Sequence, residues 1–511
     1  MIQSIFLVML FLFLISFFIP KVKKDTYGSA SIKKKLPNLK RFNKGIKVGN
    51  RCLSKNDSTK NVLLIGPSGS GKTMSILLEN IFKLAKNNWS LFILDPKNEL
   101  VKLSSGYLSK KLGIRTYIMD FVNPENSIQW NPFEEISRSK IQSLITDMYE
   151  ITASSNNKTE AIWKFGSIEI ISLCCNLILN NKPSSLNLGN LSWVLKNIQS
   201  NPEKLKDWML KNCDTELEIL TTKQFFNQDD KVFHGIISTS ISTLTPFVTE
   251  ECIKISSKTT LPPIGSFREK QSVIYVSLPI GCEANFMPYV TLFLNNVFVD
   301  ILNTPVKNTD RHIGFILEEF GNIFPINNYS SIVSSIRSKR CSLVHCVQNI
   351  SQISYRYGKF VTDIVLNNCA HLIMLTGSKS QSTNSYISET LIGKSTQRKI
   401  NNSGVEDEYG RMLYFQDEIR RLPKNTALFI SSNLPASLIK LKPIYKAWLK
   451  KYRFGLVSYK GILKSVFSPV VHTKIRSDFE YIDFLERKDV SVSKEEVLTF
   501  QERLEKLLPK K

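Results

Sequence analysis

A glycine-rich loop after a short apolar run constrains the fold of this 511-residue chain more than any other feature. The run Val62–Ile65 has the composition of a buried strand, and residues 74–84 have that of a helix. Between them lies a complete phosphate-binding loop, formed by Gly66, Pro67, Ser68, Gly69, Ser70, Gly71, Lys72 and Thr73. A strand, a glycine-rich turn and a helix in this order direct backbone N–H groups at a phosphate. The sequence therefore predicts that the chain binds a nucleoside triphosphate.

The residue types in this loop indicate which ligands it binds. Gly66, Gly69 and Gly71 permit a backbone geometry and a close approach that a Cβ atom would block. Lys72 is placed to reach the β- and γ-phosphates, and the Thr73 hydroxyl to bind Mg²⁺. We therefore expect ATP and Mg²⁺ as the ligands.

Apolar, strand-like runs alternate with helical segments through much of the chain. Strands are predicted at residues 61–65, 90–94, 114–120, 272–278, 312–317, 342–347, 372–375 and 427–430. This alternation predicts an α/β fold: a P-loop, RecA-like, doubly wound and mainly parallel sheet with ligands at the carboxyl ends of its strands. From about residue 134 to 257 the periodicity is helical instead, which predicts an inserted all-α domain.

Polar residues at the ends of two predicted strands are candidates for catalysis. Glu318 would hold Mg²⁺, Glu319 would polarise the attacking water, and Gln348 would sense the γ-phosphate. Two exposed glutamates and an ordinary turn glutamine are the alternatives. Arg337 and Arg340 lie between the two strands and are candidate arginine fingers for a neighbouring subunit, or else solvated positive charge.

The amino-terminal segment predicts a membrane anchor. Residues 2–19 carry no charge, and at ~1.5 Å per residue they are long enough to cross a bilayer core. Lys21, Lys23 and Lys24 follow, so the positive-inside rule places the bulk of the chain in the cytoplasm, behind a single span in the inner membrane. The basic linker would lie on anionic headgroups.

Charge and cysteine usage restrict the partners and the cofactors. The net charge of +24 favours a polyanionic partner, either nucleic acid or an anionic membrane, although a lysine-rich composition accounts for part of it. Nine scattered cysteines without a Cys-x-x-Cys pair argue against a zinc site and against a disulfide scaffold.

An ordered series of motifs between about residues 60 and 435 resembles one family, the TraG/TraD-like coupling proteins of conjugative type IV secretion systems. Besides the loop, the series comprises Asp95-Pro96-Lys97-x-Glu99-Leu100, residues 126–132, residues 319–322, Arg337 to Gln348, Tyr357-Gly358, Asn368-Cys369, residues 383–388, Gly393-Lys394 and residues 417–423. Many NTPases share the loop, whereas the ordered series is specific.

The resemblance implies a membrane-anchored, hexamer-forming, DNA-dependent ATPase that couples relaxase-bound single-stranded DNA to type IV secretion channel proteins. This chain departs from the family pattern at Glu318, where aspartate is usual, and in having one predicted span where many members have two. Two alternatives stay open: an FtsK/HerA-like translocase of double-stranded DNA, and a nucleotide-binding receptor with little hydrolysis.

The predicted domain organisation follows from these segments. It consists of a transmembrane anchor at 1–20, a basic juxtamembrane linker at 21–50, the first part of the NTPase domain at 51–133, an all-α insertion at 134–262, the second part of the NTPase domain at 263–438 and a basic tail at 439–511.

Overall fold

Apolar runs form the central strands, because side chains on both faces of a parallel sheet are buried. The structure is a computed structural model that describes residues 27–33, 39–153, 161–400, 406–432 and 434–444. Its strands are β1 (Lys47–Val48), β2 (Arg51–Cys52), β3 (Val62–Ile65), β4 (Ser90–Asp95), β5 (Arg115–Asp120), β6 (Ser272–Ser277), β7 (Ile313–Leu317), β8 (Cys341–Val347), β9 (His371–Leu375), β10 (Lys394–Ile400), β11 (Glu406–Met412), β12 (Thr426–Ser431) and β13 (Leu434–Lys440). The predicted anchor at 1–20 and the predicted tail from residue 445 onward lie outside the described residues.

Helices connect most of these strands. They are α1 (Lys55–Ser58), α2 (Leu78–Lys86), α3 (Leu100–Gly106), α4 (Arg138–Thr152), α5 (Ala161–Asn181), α6 (Leu188–Ser200), α7 (Pro202–Lys211), α8 (Glu216–Phe226), α9 (Asp230–Leu244), α10 (Glu250–Ile255), α11 (Glu283–Asn303), α12 (Tyr329–Ser335), α13 (Ile350–Asn368), α14 (Gln381–Ser385) and α15 (Gln416–Arg420). π-Helical turns lie at Thr73–Leu77, Tyr107–Lys111 and Tyr386–Ile392.

The first of two compact units contains the phosphate loop. It consists of the described residues of Met1–Trp89, His312–Gly321 and Val333–Tyr459. Its strands lie in the order β13-β12-β9-β3-β8-β7, in which β9, β3, β8 and β7 are parallel. β12 runs antiparallel to both β9 and β13, so the sheet of this unit is mixed but mainly parallel. Because the parallel strands share one direction, the carboxyl ends of β3, β7, β8 and β9 meet at one edge.

The second unit consists of the described residues of Ser90–Arg311 and Asn322–Ile332. It contains three parallel strands in the order β4-β6-β5, together with helices α4 to α10. These helices lie within the predicted insertion at 134–262, and the compact unit is larger than that insertion because it includes the three strands.

Helix α5 is the core helix of this helical region. Its length and apolar composition would allow it to cross a membrane, but half of its most apolar stretch is buried inside the protein. Ile171, Cys174 and Leu177 are fully buried where α5 packs against α4, α6 and α9. Burial by neighbouring helices explains why this helix is apolar on most sides.

The first unit also contains strands that the sequence does not predict. β10 and β11 form an antiparallel hairpin, and β13 ends at Lys440, beyond the predicted domain end at 438. Part of the predicted linker pairs with these strands: Ser29 bridges Ser395, and Ile32 bridges Ala436. The described linker residues are therefore fastened to this unit by backbone hydrogen bonds.

The acidic residue of the Asp95–Leu100 motif holds a turn in place. The buried Asp95 carboxylate accepts hydrogen bonds from the N–H groups of Glu99 at 3.1 Å and Val101 at 2.8 Å, where helix α3 begins. Burial raises the pKa of Asp95 to about 6, although these two donors act in the opposite direction. The structure thus gives this motif residue a structural role, in which the last side chain of β4 holds N–H groups at the start of α3.

This raised pKa predicts a pH-dependent stability difference for Asp95→Asn, which keeps the size of the side chain and one acceptor oxygen. Because the pKa is higher in the folded state, ionisation with rising pH favours the unfolded parent protein. As the pH rises from 5 to 7.5, the unfolding free energy of the variant minus that of the parent should therefore increase by roughly 1 kcal/mol. Thermal unfolding of both proteins at the two pH values measures this, and a difference independent of pH would contradict it.

Candidate nucleotide-binding site

The phosphate loop lies at the carboxyl end of β3, against the neighbouring strands. The N–H of Gly66 donates to the carbonyl of Val347, 3.1 Å away, at the end of β8. A Cβ atom on Gly66 would lie 2.6 Å from Ser70 Oγ and 3.0 Å from the Cβ of Leu375. Gly69 has φ +75° and Gly71 has φ +89°, a backbone conformation that side chains rarely permit. A side chain would therefore crowd its neighbours at Gly66 and strain the backbone at Gly69 and Gly71.

The last two residues of the loop direct polar groups inward. The Lys72 side chain is buried, and its Nζ donates to the carbonyl of Gly66. Thr73 begins the helical turn that leads into α2, and its Oγ1 lies 3.5 Å from Glu318 Oε1. The structure thus brings together the two residues that the sequence predicts as Mg²⁺ ligands.

The predicted acidic pair follows β7 and is almost completely buried. Glu318 is 1% exposed and Glu319 is 4% exposed. Glu319 has φ +55°, so the chain turns sharply there and the two carboxylates take different directions. Gln348 Nε2 donates to the Glu319 carboxylate at 3.2 Å, across the ends of β7 and β8. The alternative of two exposed glutamates does not agree with this burial.

Side chains behind Glu319 fix the turn that carries it. The ring of Phe320 is fully buried, stacks on Tyr357 with centroids 5.2 Å apart, and contacts the edge of His345 at 4.8 Å. A Cβ atom on Gly321 would lie 2.5 Å from the Cβ atom of Gln352. The Gln352 side chain accepts a hydrogen bond from the N–H of Gln348 at 2.9 Å. The acidic turn is thus packed against the start of α13.

A cavity of about 930 Å³ opens in front of the loop. Its remaining walls come from Met74, Ser75, Gln348, Asn349, residues 376–380, Lys424, Asn425 and Pro443. Lys379 and Lys424 were not among the residues predicted for the site. The signals available were the 417–423 segment, which Lys424 directly follows, and the carboxyl end of the strand predicted at 372–375, which Lys379 follows by four residues. The volume is within the range of small-molecule sites, and two lysines suit an anionic ligand.

The arginines lie elsewhere in the first unit. Arg337 is exposed in the turn before β8, and Arg340 is half-buried with φ +55°. Gln348 follows β8 at its other end, roughly 23 Å away for a seven-residue strand. The structure therefore does not bring Arg337 or Arg340 to the loop of their own chain.

The donor set fits a magnesium nucleotide. A hydroxyl and a carboxylate oxygen, from Thr73 and Glu318, are the hard oxygen ligands that Mg²⁺ prefers. In the described part of the chain no group of three or more His, Cys, Asp or Glu side chains is arranged to hold a metal ion.

Comparison with known proteins identifies the family. Residues 21–458 match the family model described as Type IV secretory system Conjugative DNA transfer. The chain belongs to this family. The resemblance to TraG/TraD-like coupling proteins is thereby confirmed. A comparison with curated protein sequences gives no match.

Solved structures of the bacterial conjugative coupling protein TrwB share the fold. TrwBdeltaN70 in its unbound monoclinic form is 16% identical to this chain, with a TM-score of 0.63 over 83% of this chain and 96% of that chain. TrwB in complex with ADPNP and TrwB in complex with ADP and Mg²⁺ are each 15% identical, with TM-scores of 0.63 over 82% and 96%. The prediction of an α/β fold with a mainly parallel sheet agrees with these structures.

Proposed function

We propose that this chain is a membrane-anchored ATPase that couples relaxase-bound single-stranded DNA to a type IV secretion channel during conjugative transfer. The observation that carries the proposal is the arrangement behind the phosphate loop, where Thr73 faces Glu318 and Gln348 contacts Glu319. Family membership supports the conjugative role. The buried carboxylates support hydrolysis in addition to nucleotide binding.

Each residue of the site has a proposed role. The loop backbone and Lys72 hold the phosphates of ATP. Thr73 and Glu318 hold Mg²⁺, which neutralises negative charge on the phosphates when it is bound. Glu319 orients the attacking water and accepts its proton, while Gln348 holds the Glu319 carboxylate and senses the γ-phosphate. The existence of TrwB complexes with ADPNP and with ADP and Mg²⁺ supports these ligands.

A homo-hexamer would complete the site. Arg337 and Arg340 lie too far along β8 to reach their own loop, and Arg337 is exposed. We propose that they act as arginine fingers at the nucleotide of a neighbouring copy, where they stabilise the charge of the transition state. Their position at the other end of the strand supports action between subunits.

The remaining segments define the proposed partners. Residues 1–20 anchor the protein in the inner membrane by a single span, and the all-α segment at 134–262 receives the relaxase with its DNA. The net charge of +24 supports contact with the DNA backbone and with anionic headgroups. The tail at 439–511 contributes part of this positive charge.

The proposal predicts that single-stranded DNA stimulates hydrolysis. Full-length protein in detergent should hydrolyse ATP several-fold faster with an oligothymidine than without it, and the stimulation should fall as salt rises because phosphate contacts release counterions. A phosphate-release assay measures both. The absence of stimulation at low salt would contradict a DNA-dependent motor.

The same assay separates the two alternatives. A double-stranded DNA pump of the FtsK/HerA type would respond more strongly to duplex than to single-stranded DNA of equal length. A receptor that only binds nucleotide would show slow hydrolysis with either. The methylene that distinguishes Glu318 from the usual aspartate favours the receptor, whereas the contact between Gln348 and Glu319 favours hydrolysis.

A further inference from the structure

The helix that follows the candidate site exposes two aromatic rings. Tyr355 is 84% exposed and Phe360 is 77% exposed, both on α13. Gly358 lies between them with φ +75° and ψ 166°, so the helix is kinked at that residue. Single exposed aromatic side chains are ordinary, but two large rings within six residues of one helix leave a considerable apolar area in water.

Positive charge accompanies these rings. From Asn349 to Thr362 the sequence contains no Asp or Glu, and its charged residues are Arg356 and Lys359. The Arg356 guanidinium carbon lies 5.9 Å from the centroid of the Tyr355 ring. Rings interleaved with cations suit a ligand that has both flat apolar faces and negative charge, and the first acidic residue after them on α13 is Asp363.

The same helix is packed against the catalytic turn. Tyr357 stacks on Phe320, which directly follows Glu319, and Gln352 packs against Gly321. The exposed rings of Tyr355 and Phe360 are therefore adjacent in sequence to side chains that contact the acidic turn. A ligand held on these rings would act on the segment that positions Glu319.

We propose that α13 binds single-stranded nucleic acid, with bases stacked on Tyr355 and Phe360 and phosphates held by Arg356 and Lys359. The inference rests on the proposed function, in which single-stranded DNA is the substrate. Stacking requires unpaired bases, so the surface selects single strands over duplex. The stack of Tyr357 on Phe320 links this contact to the Glu319 turn, through which DNA would stimulate hydrolysis.

The test measures the affinity of the full-length protein for a fluorescent oligothymidine. Tyr355→Ala and Phe360→Ala should each raise the Kd about tenfold, the size expected for one lost base stack. Tyr355→Trp and Phe360→Trp keep a flat ring and should retain the parental Kd. Phe42→Ala is the matched control, since Phe42 is 85% exposed and also lies beside an arginine, Arg41, at 5.7 Å.

The proposed phosphate contacts of Arg356 and Lys359 are tested by a separate measurement. Arg356→Gln and Lys359→Gln should each reduce the slope of log Kd against log salt concentration by about 0.7, the value for one phosphate contact on a single strand. If the slopes do not change, the proposal that Arg356 and Lys359 hold phosphates is wrong.

The outcomes distinguish this inference from the proposed function. If the parent binds and responds to DNA but the alanine variants bind equally well, the surface proposed on α13 is wrong and the coupling function stands. If the parent itself does not bind single-stranded DNA, both fail. If the alanine variants lose the hexamer, measured by mass photometry, the rings belong to a contact between subunits and the inference is overturned.

Discussion

Lys72→Ala is expected to slow ATP hydrolysis by roughly 100- to 1,000-fold and to abolish conjugative transfer. The Lys72 side chain is buried, and its ammonium donates to the carbonyl of Gly66, so the charge lies inside the loop that would surround the phosphates. Removing it leaves developing negative charge without its nearest positive group. Lys72→Arg should also fail, because a planar guanidinium does not fit a space shaped for a compact ammonium.

The control for this prediction is Lys86→Ala, which removes the same charge from an exposed position at the end of α2. It should leave the hydrolysis rate within about twofold of the parent, since exposed charges contribute little. A phosphate-release assay compares the parent with the three variants, and a plasmid-transfer assay compares the same substitutions in cells. Equal rates for Lys72→Ala and Lys86→Ala would show that hydrolysis takes place elsewhere.

The sheet was predictable where local sequence determines burial. The runs at β3, β4, β6, β7 and β8 are mostly apolar, and their ends in the structure lie within about two residues of the predicted ones. β10 was not predictable in this way, because Lys394–Ile400 is mostly polar and is ordered by pairing with β11. The antiparallel direction of β12 also depends on its partners, which local periodicity does not reveal.

The candidate site was also predictable in part and unpredictable in part. The sequence places Glu319 and Gln348 at strand ends, and parallel strands bring such ends together, so their proximity was predictable. Their direct contact was not predicted, since the sequence assigned them separate roles, one to water and the other to the γ-phosphate. The stack of Phe320 on Tyr357 was missed because it joins a strand end to the middle of a kinked helix. No local pattern encodes such a contact.

The Glu319→Gln variant is expected to bind ATP as the parent does but to hydrolyse it roughly 100-fold more slowly, or slower still. The amide has the size and shape of the carboxylate, so its oxygen still accepts a hydrogen bond from Gln348 Nε2 and the backbone at φ +55° needs no change. An amide cannot accept the proton of the attacking water at neutral pH. The variant should therefore bind a fluorescent ATP analogue with the parental Kd and release phosphate at the rate of Lys72→Ala.

Comparison with Glu318→Gln separates the two carboxylates. If Glu318 holds Mg²⁺, its loss should raise the Mg²⁺ concentration needed for half-maximal nucleotide binding. Glu319→Gln should leave that concentration unchanged, because Glu318 faces Thr73 whereas Glu319 contacts Gln348. Equal phosphate release by the parent and by Glu319→Gln would remove Glu319 as the base and favour the nucleotide-binding receptor. If Glu319→Gln blocks hydrolysis but still binds the nucleotide, hexamers that contain both parent and variant subunits give a further test. Their activity should fall more steeply than the fraction of variant subunits rises, because arginines donated between subunits make each site depend on its neighbour.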